Sequence, residues 1–442
     1  MNCSRDFFTF FTKVSQLLVL LVTMLSISYS QSETCKYVEL YDQLYHNLVE
    51  QRYKVLDTNN KRKSDVYGDG MSYAMVADLI MFETTHDEKY LNRYLTHSAA
   101  ILNYRKDRLD SNDNPRWSNH PSMYQDGLIL WSYAYFIDAV MVKKSIDENV
   151  QIPISAAPFL EIFEAKPKTI RELVPLYYSE LLTTLSYYEK FWYGPKVGLK
   201  IYAERGARPA SLNFQSAFGA TYYYLGTAMN NSSFIQKAHE FALLHRSTVR
   251  DMPNCIFGTP VPPFSKRKVL EITDDSCLVF MHWGWRPSKC KRDFEANWYD
   301  DISHAIQSLI FPISVHNRFK SENGSYYFSD NDMILLHNTF TKRIFAGYNQ
   351  SCPEFNNTII GDSIVRFAHY LSGFNTLAIR SISYSFLIPY DDNPRTSGLK
   401  INKILKDFLE TECFKTVVPL LAGMDLFGLA MFIRENQKLS IH

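Results

Sequence analysis

Apolar residues recur at three- and four-residue spacing through most of this 442-residue chain, and that period constrains its fold more than any other feature. In 88–107, Tyr90, Leu91, Tyr94, Leu95, Ser98, Ile101 and Leu102 form one stripe, the pattern of a helix with a single buried face. Similar stripes occupy about twelve blocks: 36–57, 70–84, 88–107, 124–143, 169–192, 212–229, 233–247, 301–316, 331–346, 361–373, 398–411 and 415–434. Short polar turns, such as Thr84–Asp87 and Met229–Ser232, join neighbouring blocks, and short turns between helices make antiparallel hairpins. The expected class is all-α. About twelve helices in hairpins suggest an (α/α)6 toroid, six inner helices around a core open at one end, with an irregular bundle or a helical solenoid as the alternative.

Two stretches depart from the period. Residues 193–210 suit a small β-ribbon or loop. Residues 251–298 carry Pro253, Pro260, Pro262, Pro263, Pro287, three cysteines and the β-prone run Ser276–Trp285, which together predict an ordered excursion stapled by disulfides. No Pro/Gly/Ser-rich linker divides the chain, so residues 31–442 are expected to form one domain. The apolar run 416–433 is interrupted by Pro419 and Asp425 and suits a buried final helix rather than a membrane anchor.

The first thirty residues read as a signal peptide: Arg5 and Lys13, an apolar run from Leu17 to Ile27, then Ser28 and Ser30. A secreted chain is expected to carry disulfides and N-glycans. Cys35, Cys255, Cys277, Cys290, Cys352 and Cys413 remain after cleavage, an even number that allows up to three bridges in any of 15 pairings. Asn-x-Ser/Thr acceptors stand at Asn230, Asn231, Asn323, Asn349 and Asn356, all in polar stretches. Removing Arg5, Lys13 and Asp6 with the signal leaves 45 charged residues of each sign, a balance that argues against broad binding to nucleic acid or anionic membrane. No cofactor is expected; the cysteines lack zinc-site spacing, and a divalent metal is left open.

Three segments resemble secreted α/α-toroid carbohydrate-active proteins. In 210–242 (ASLNFQSAFGATYYYLGTAMNNSSFIQKAHEFA) a Leu-Asn-x-Gln start is followed by Ala-x-Gly, a turn, and an aromatic, Ala-bearing second helix. The hairpin 67–104 repeats this layout. In 297–315 (NWYDDISHAIQSLIFPISV) Asp301 and His304 hold the spacing of a string similar to one in the C-terminal domain of glucuronyl C5-epimerases, with Tyr299 one place further out. The resemblance implies the toroid over roughly residues 60–440, a mouth at the start of the repeated hairpin, and a saccharide partner.

The residues themselves allow matching chemistry. Asp301 and His304 are three apart, so both can face one side of a helix. A carboxylate orients an imidazole and makes it more basic, and such a pair in a cleft can move a proton near neutral pH. Capping by Asp300 or Asp301 is the plainer use of the same carboxylates. Trp283, Trp285, Arg286, Trp298 and Tyr299 could build a sugar platform, although a packed core draws on the same rings, and aromatics are 15% of the chain. A second cluster, 116–127, holds Asn119, His120, Tyr124 and Asp126; its residue types resemble those of toroid polysaccharide lyases, which implies an amide or Arg on the uronate carboxylate while Tyr or His takes the acidified proton beside it, whereas helix capping by Asn119 and Asp126 and a loop role for His120 are the plainer uses. Asn213 and Gln215 open the repeated hairpin, where buried amides tying helix ends together would look the same as a site, and Arg205 and Arg208 ahead of them suit an acidic sugar.

These features point to a secreted glycan-active enzyme of the uronate lyase or epimerase type. His304 would be general base or acid with Asp301, Tyr299 or Tyr124 its proton partner, and Arg286 or Arg208 the carboxylate holder. One alternative is a glycoside hydrolase using a carboxylate pair such as Asp126 and Asp301. The other is a glycan-binding secreted protein without catalysis.

Overall fold

A computed structural model describes residues 35–56, 66–118, 123–193, 201–204, 208–209, 212–246, 270–280, 302–349, 352–356, 380–417 and 422–441. The class is mostly helical, as the periodicity requires. Helix α1 spans 35–45 and continues as a wider turn, His46–Tyr53. It is followed by α2 (Ser72–Thr85), α3 (Glu88–Asn103), the short α4 (Lys106–Leu109), α5 (Met123–Met141), α6 (Ile170–Glu189), α7 (Leu212–Ala228), α8 (Ser232–Arg246), α9 (Ile302–Val315), α10 (Asp330–Thr339), α11 (Ile401–Glu410), α12 (Glu412–Val417) and α13 (Gly423–Ile441). A 3-10 helix, Ser381–Tyr390, precedes α11. Block 361–373 lies outside the described residues.

Several helices begin on N-caps supplied by side chains at their own starts, and of these α8 keeps a single buried stripe, with Ala238, Phe241, Ala242, Leu244 and His245 covered. Asp87 caps α3 through the Lys89 amide (3.0 Å), Asn231 caps α8 through Ser233 (3.1 Å), and Ser329 with Asp332 forms a capping box on α10. The stripe expected in 88–107 is buried at every residue named for it. By contrast, α2 is buried from Ser72 to Met81 and α5 from Asp126 to Val140, on all faces. The α7 helix is likewise buried from Leu212 to Gly226, apart from half-exposed Phe214. A helix apolar all round belongs inside a structure, walled by other helices.

The packing of these inner elements runs α13 on α2, α2 on α5, α5 on α7 and α7 on α9. The 3-10 helix touches α9 and packs extensively on α13. Their directions follow from their contacts. Tyr124 at the start of α5 stacks on Phe214 at the start of α7, whereas Tyr135 near the end of α5 meets Tyr224 near the end of α7. Arg318, just past α9, grips Asp138 at the end of α5 with two bonds of 2.9 and 3.2 Å. Arg380 and Asp425 pair at 2.6 Å where the 3-10 helix and α13 begin. The inner elements therefore run parallel, with their starts at one end. Tyr73, Trp131 and Phe427, from α2, α5 and α13, pack together with centroids 5.6–6.0 Å apart, Trp131 meeting both other rings edge-on. At Gly428 the α13 backbone comes so close to the 3-10 helix that a β-carbon would lie 2.7 Å from the Ser383 nitrogen.

One inner contact repairs a sequence defect. Pro312 within α9 has no N–H to give the Ser308 carbonyl four residues earlier. Ser216 of α7 donates its hydroxyl to that carbonyl (2.9 Å) and accepts from the Phe311 amide (2.9 Å). The break in α9 thus becomes a polar link between α7 and α9.

The short strands match one expectation and correct another. Trp192–Tyr193, Ile201–Glu204 and Arg208–Pro209 (β1–β3) form the antiparallel ribbon predicted for 193–210. Within 251–298 the described part is a hairpin, β4 (Leu270–Ile272) and β5 (Leu278–Phe280), and no disulfide holds it there. Cys277 is a buried free thiol directed at the Asp275 carboxylate (3.3 Å). Hydrogen bonds fasten the hairpin to α10: Thr339 to the Leu278 carbonyl (2.6 Å) and Asn338 to the Ser276 carbonyl (3.0 Å). Cys35 is also free, so six paired cysteines are not realised. Cys352 is disulfide-bonded, and it opens the last hairpin, β6 (Phe345–Asn349) and β7 (Cys352–Phe355). The final helix begins only at Gly423, after α12, and no described helix is long and apolar enough to cross a membrane.

Candidate functional site

The starts of α5, α7 and α9 bring together side chains that are far apart in sequence. Asn213 of α7 donates from Nδ2 to Gln307 Oε1 at 2.9 Å. Gln307 Nε2, on α9, donates to the Tyr124 phenol oxygen of α5 at 2.7 Å. The Tyr124 ring stacks on Phe214, with centroids 5.2 Å apart and planes inclined by 27°. Asn213 and Gln307 are buried, while Tyr124 and Phe214 are half-exposed at the surface end of this network. His304 is half-buried and sits three residues before Gln307, on the same face of α9 and one turn nearer its start.

The setting is polar in a directional way. First-turn N–H groups of a helix lack intrahelical partners and carry partial positive charge. Parallel inner elements present those groups at one end, which favours a carboxylate or a developing oxyanion there. At the opposite end Asp138 pairs with Arg318, and Glu83 accepts from the Tyr135 phenol (2.9 Å) and the Ser145 hydroxyl (2.7 Å).

Of the residues singled out in the sequence, Tyr124, Asn213 and His304 fall at this end. Gln215 is fully buried in α7. Arg208 lies in β3, its backbone paired with Glu204. Asp301, Tyr299, Trp298, Trp283, Trp285, Arg286 and His120 lie outside the described residues, as do Cys255 and Cys290. Two members of the site, Gln307 and Phe214, were not singled out. Gln307 was within reach, because the i,i+3 spacing that pairs Asp301 with His304 extends one step further to residue 307.

Asp126 takes a different part. It is fully buried, and its carboxylate accepts from the Trp117 amide (3.1 Å), the Ser118 amide (3.0 Å), the Ser118 hydroxyl (2.8 Å) and the Tyr188 phenol. Burial pushes its proton affinity up against the pull of those donors. Four donors use the bonding capacity of both oxygens, so Asp126 anchors the loop before α5 to α6 and has nothing left for a glycosidic bond. Among the described residues no three His, Cys, Asp or Glu side chains gather as a metal site would require.

No protein-family model matches the chain, and no curated protein matches it significantly.

Proposed function

We propose that the inner helices belong to an (α/α)6 toroid, formed by one domain of a secreted protein. Its open end is the site of a glycan-active enzyme that abstracts a proton beside a uronate carboxylate. The observation that carries this reading is the meeting of Tyr124, Asn213 and the His304–Gln307 face of α9 where the parallel helices start. A uronate carboxylate drawn to those helix starts acidifies its neighbouring C–H, and the oxyanion formed on deprotonation is stabilised by the same dipoles. His304 and Tyr124 supply the two proton-transfer groups, one removing the C5 proton and the other donating. Expulsion of the 4-linked sugar gives elimination; return of a proton to the opposite face gives epimerisation. The stacked Tyr124 and Phe214 rings offer an apolar face to a pyranose ring. The hydrolase reading loses support because Asp126 is committed to the loop at 117–118.

The test is incubation of the secreted protein with a panel of uronate polymers and neutral glycans, following ultraviolet absorbance of unsaturated uronate, new reducing ends and solvent-deuterium uptake. Absorbance with new ends establishes elimination, and deuterium uptake without new ends establishes epimerisation. Each should fall by at least about a hundredfold in His304→Ala and Tyr124→Phe without loss of secreted yield. New ends without unsaturation would overturn the reading in favour of hydrolysis. Absence of all three signals on every polymer would overturn catalysis itself.

A further inference from the structure

We propose that Gln307 is a positioning residue that sets the polarity of the Tyr124 phenol, with Asn213 fixing which way the Gln307 amide faces. The proposal rests on the reading of Tyr124 as a proton-transfer group, but the bonds that motivate it do not depend on the substrate. A primary amide offers an acceptor at one end and donors at the other. Asn213 Nδ2 meets the Gln307 oxygen at 2.9 Å, which turns the Gln307 nitrogen toward Tyr124, where it lies 2.7 Å from the phenol oxygen. In this arrangement the phenol oxygen accepts from Gln307, and its own hydrogen is directed away from that amide.

The consequence is chemical. An N–H aimed at the phenol oxygen favours the state in which that oxygen bears negative charge. The donor end of the bond is buried with Gln307, while the phenol end is half-exposed toward the site. Three inner helices contribute one residue each, which fixes the geometry by packing rather than by a flexible loop. In the catalytic cycle, O–H bond breaking at Tyr124 transfers its proton to the substrate, and the resulting phenolate is held by the Gln307 N–H until a proton returns from the substrate or water. No oxidant or further reactant is needed.

The relay is tested by changing its sense at constant shape. Gln307→Glu keeps the acceptor for Asn213 but replaces the donor facing Tyr124 with an acceptor. Tyrosinate formation is followed by ultraviolet titration, and subtraction of the matching Tyr124→Phe background isolates this one phenol. Tyr124 is expected to ionise about one pH unit or more higher in Gln307→Glu than in the unchanged protein. The pH profile of the uronate reaction should move in the same direction, with kcat reduced more than KM is raised. A structural role alone would lower thermal stability and leave the ionisation in place; that result overturns the proposal. If Gln307→Glu does not fold, Gln307→Met, close in volume and without a donor, serves in the same titration. A protein inert toward every uronate polymer defeats the proposed function, while the titration still decides the relay.

Discussion

Gly423 and Gly70 meet with no room for a side chain: a β-carbon on Gly423 would lie 1.7 Å from the Gly70 carbonyl oxygen. The contact joins the start of α13 to the turn entering α2, the most distant pair of inner helices in sequence. Tyr53 strengthens the same junction by accepting the Gly423 amide at 3.2 Å. Backbone cannot yield as the tip of a side chain can, so Gly423→Ala must push α13 away from α2. A loss of about 3 kcal/mol or more is expected in denaturant unfolding. A loss under about 1 kcal/mol would show that the two backbones do not approach this closely.

Removal of the Asp126 carboxylate should unfasten the loop before α5. Asp126→Ala strands two backbone amides, a serine hydroxyl and a tyrosine hydroxyl in a buried place, a change expected to cost about 3–5 kcal/mol. Asp126→Asn retains an acceptor and should lose less. Unfolding curves of the two variants provide the comparison. A stable, inactive Asp126→Ala would instead assign the carboxylate to catalysis.

Stability should fall between about pH 6.5 and 8 because of Asp78. This residue is fully buried in α2 and accepts from the Tyr41 phenol at 2.9 Å. Burial pushes its carboxyl up to about 8, against Arg93, Tyr41 and Tyr45, which pull it down, and with Asp42 adding to the rise. Between its ordinary range near 3.8 and about 8, the folded chain holds a proton that the unfolded chain has released. Stability therefore drops with rising pH across that window, by about 1 kcal/mol per unit. Buried His97 and His245 act in the opposite sense at lower pH. Burial lowers each to about 4, so the unfolded chain binds protons below pH 6.5 that the folded chain refuses, and stability falls as pH decreases from 6.5 to 4. Thermal unfolding from pH 6.5 to 8 should show the fall, and Asp78→Asn should flatten it. An unchanged slope in the variant would assign the dependence to another group.

Much of the helix plan was legible because large apolar residues recur at helical spacing, as in 88–107, where every residue of the expected stripe is buried. The 3-10 helix Ser381–Tyr390 was not foreseen. Its sequence, SISYSFLIPY, alternates serine with large residues, and it is buried from Ser381 to Ile388, so it has no polar face to set against an apolar one. The Asp126 role was equally hidden: position near a helix start suggests a cap, yet its donors come from residues 117–118 and from Tyr188 of α6. At the candidate site, side-chain type pointed to Tyr124, Asn213 and His304, but their meeting depends on the parallel packing of α5, α7 and α9, which no local pattern encodes.

The glycan acceptors should divide by what their amide nitrogens already do. Asn356 donates from Nδ2 to the Arg343 carbonyl at 2.7 Å, and its backbone amide bonds the Ile344 carbonyl at 2.7 Å. A glycan on that nitrogen would remove a hydrogen from a packed contact and force bulk between β7 and the end of the turn Phe340–Ile344. Asn323 is exposed in the turn 321–325, where its Oδ1 accepts from the Ser325 hydroxyl at 2.7 Å, leaving that interaction compatible with a substituent on the nitrogen. Glycopeptide mass spectrometry of the protein secreted from a eukaryotic host should therefore find Asn323 occupied and Asn356 bare. Asn356→Gln should lower stability by about 1 kcal/mol through the lost bond to Arg343, whereas Asn323→Gln should change mobility on a gel and little else. A glycan at Asn356 on folded, active protein would mean that the turn at 340–344 and β7 separate in the native state.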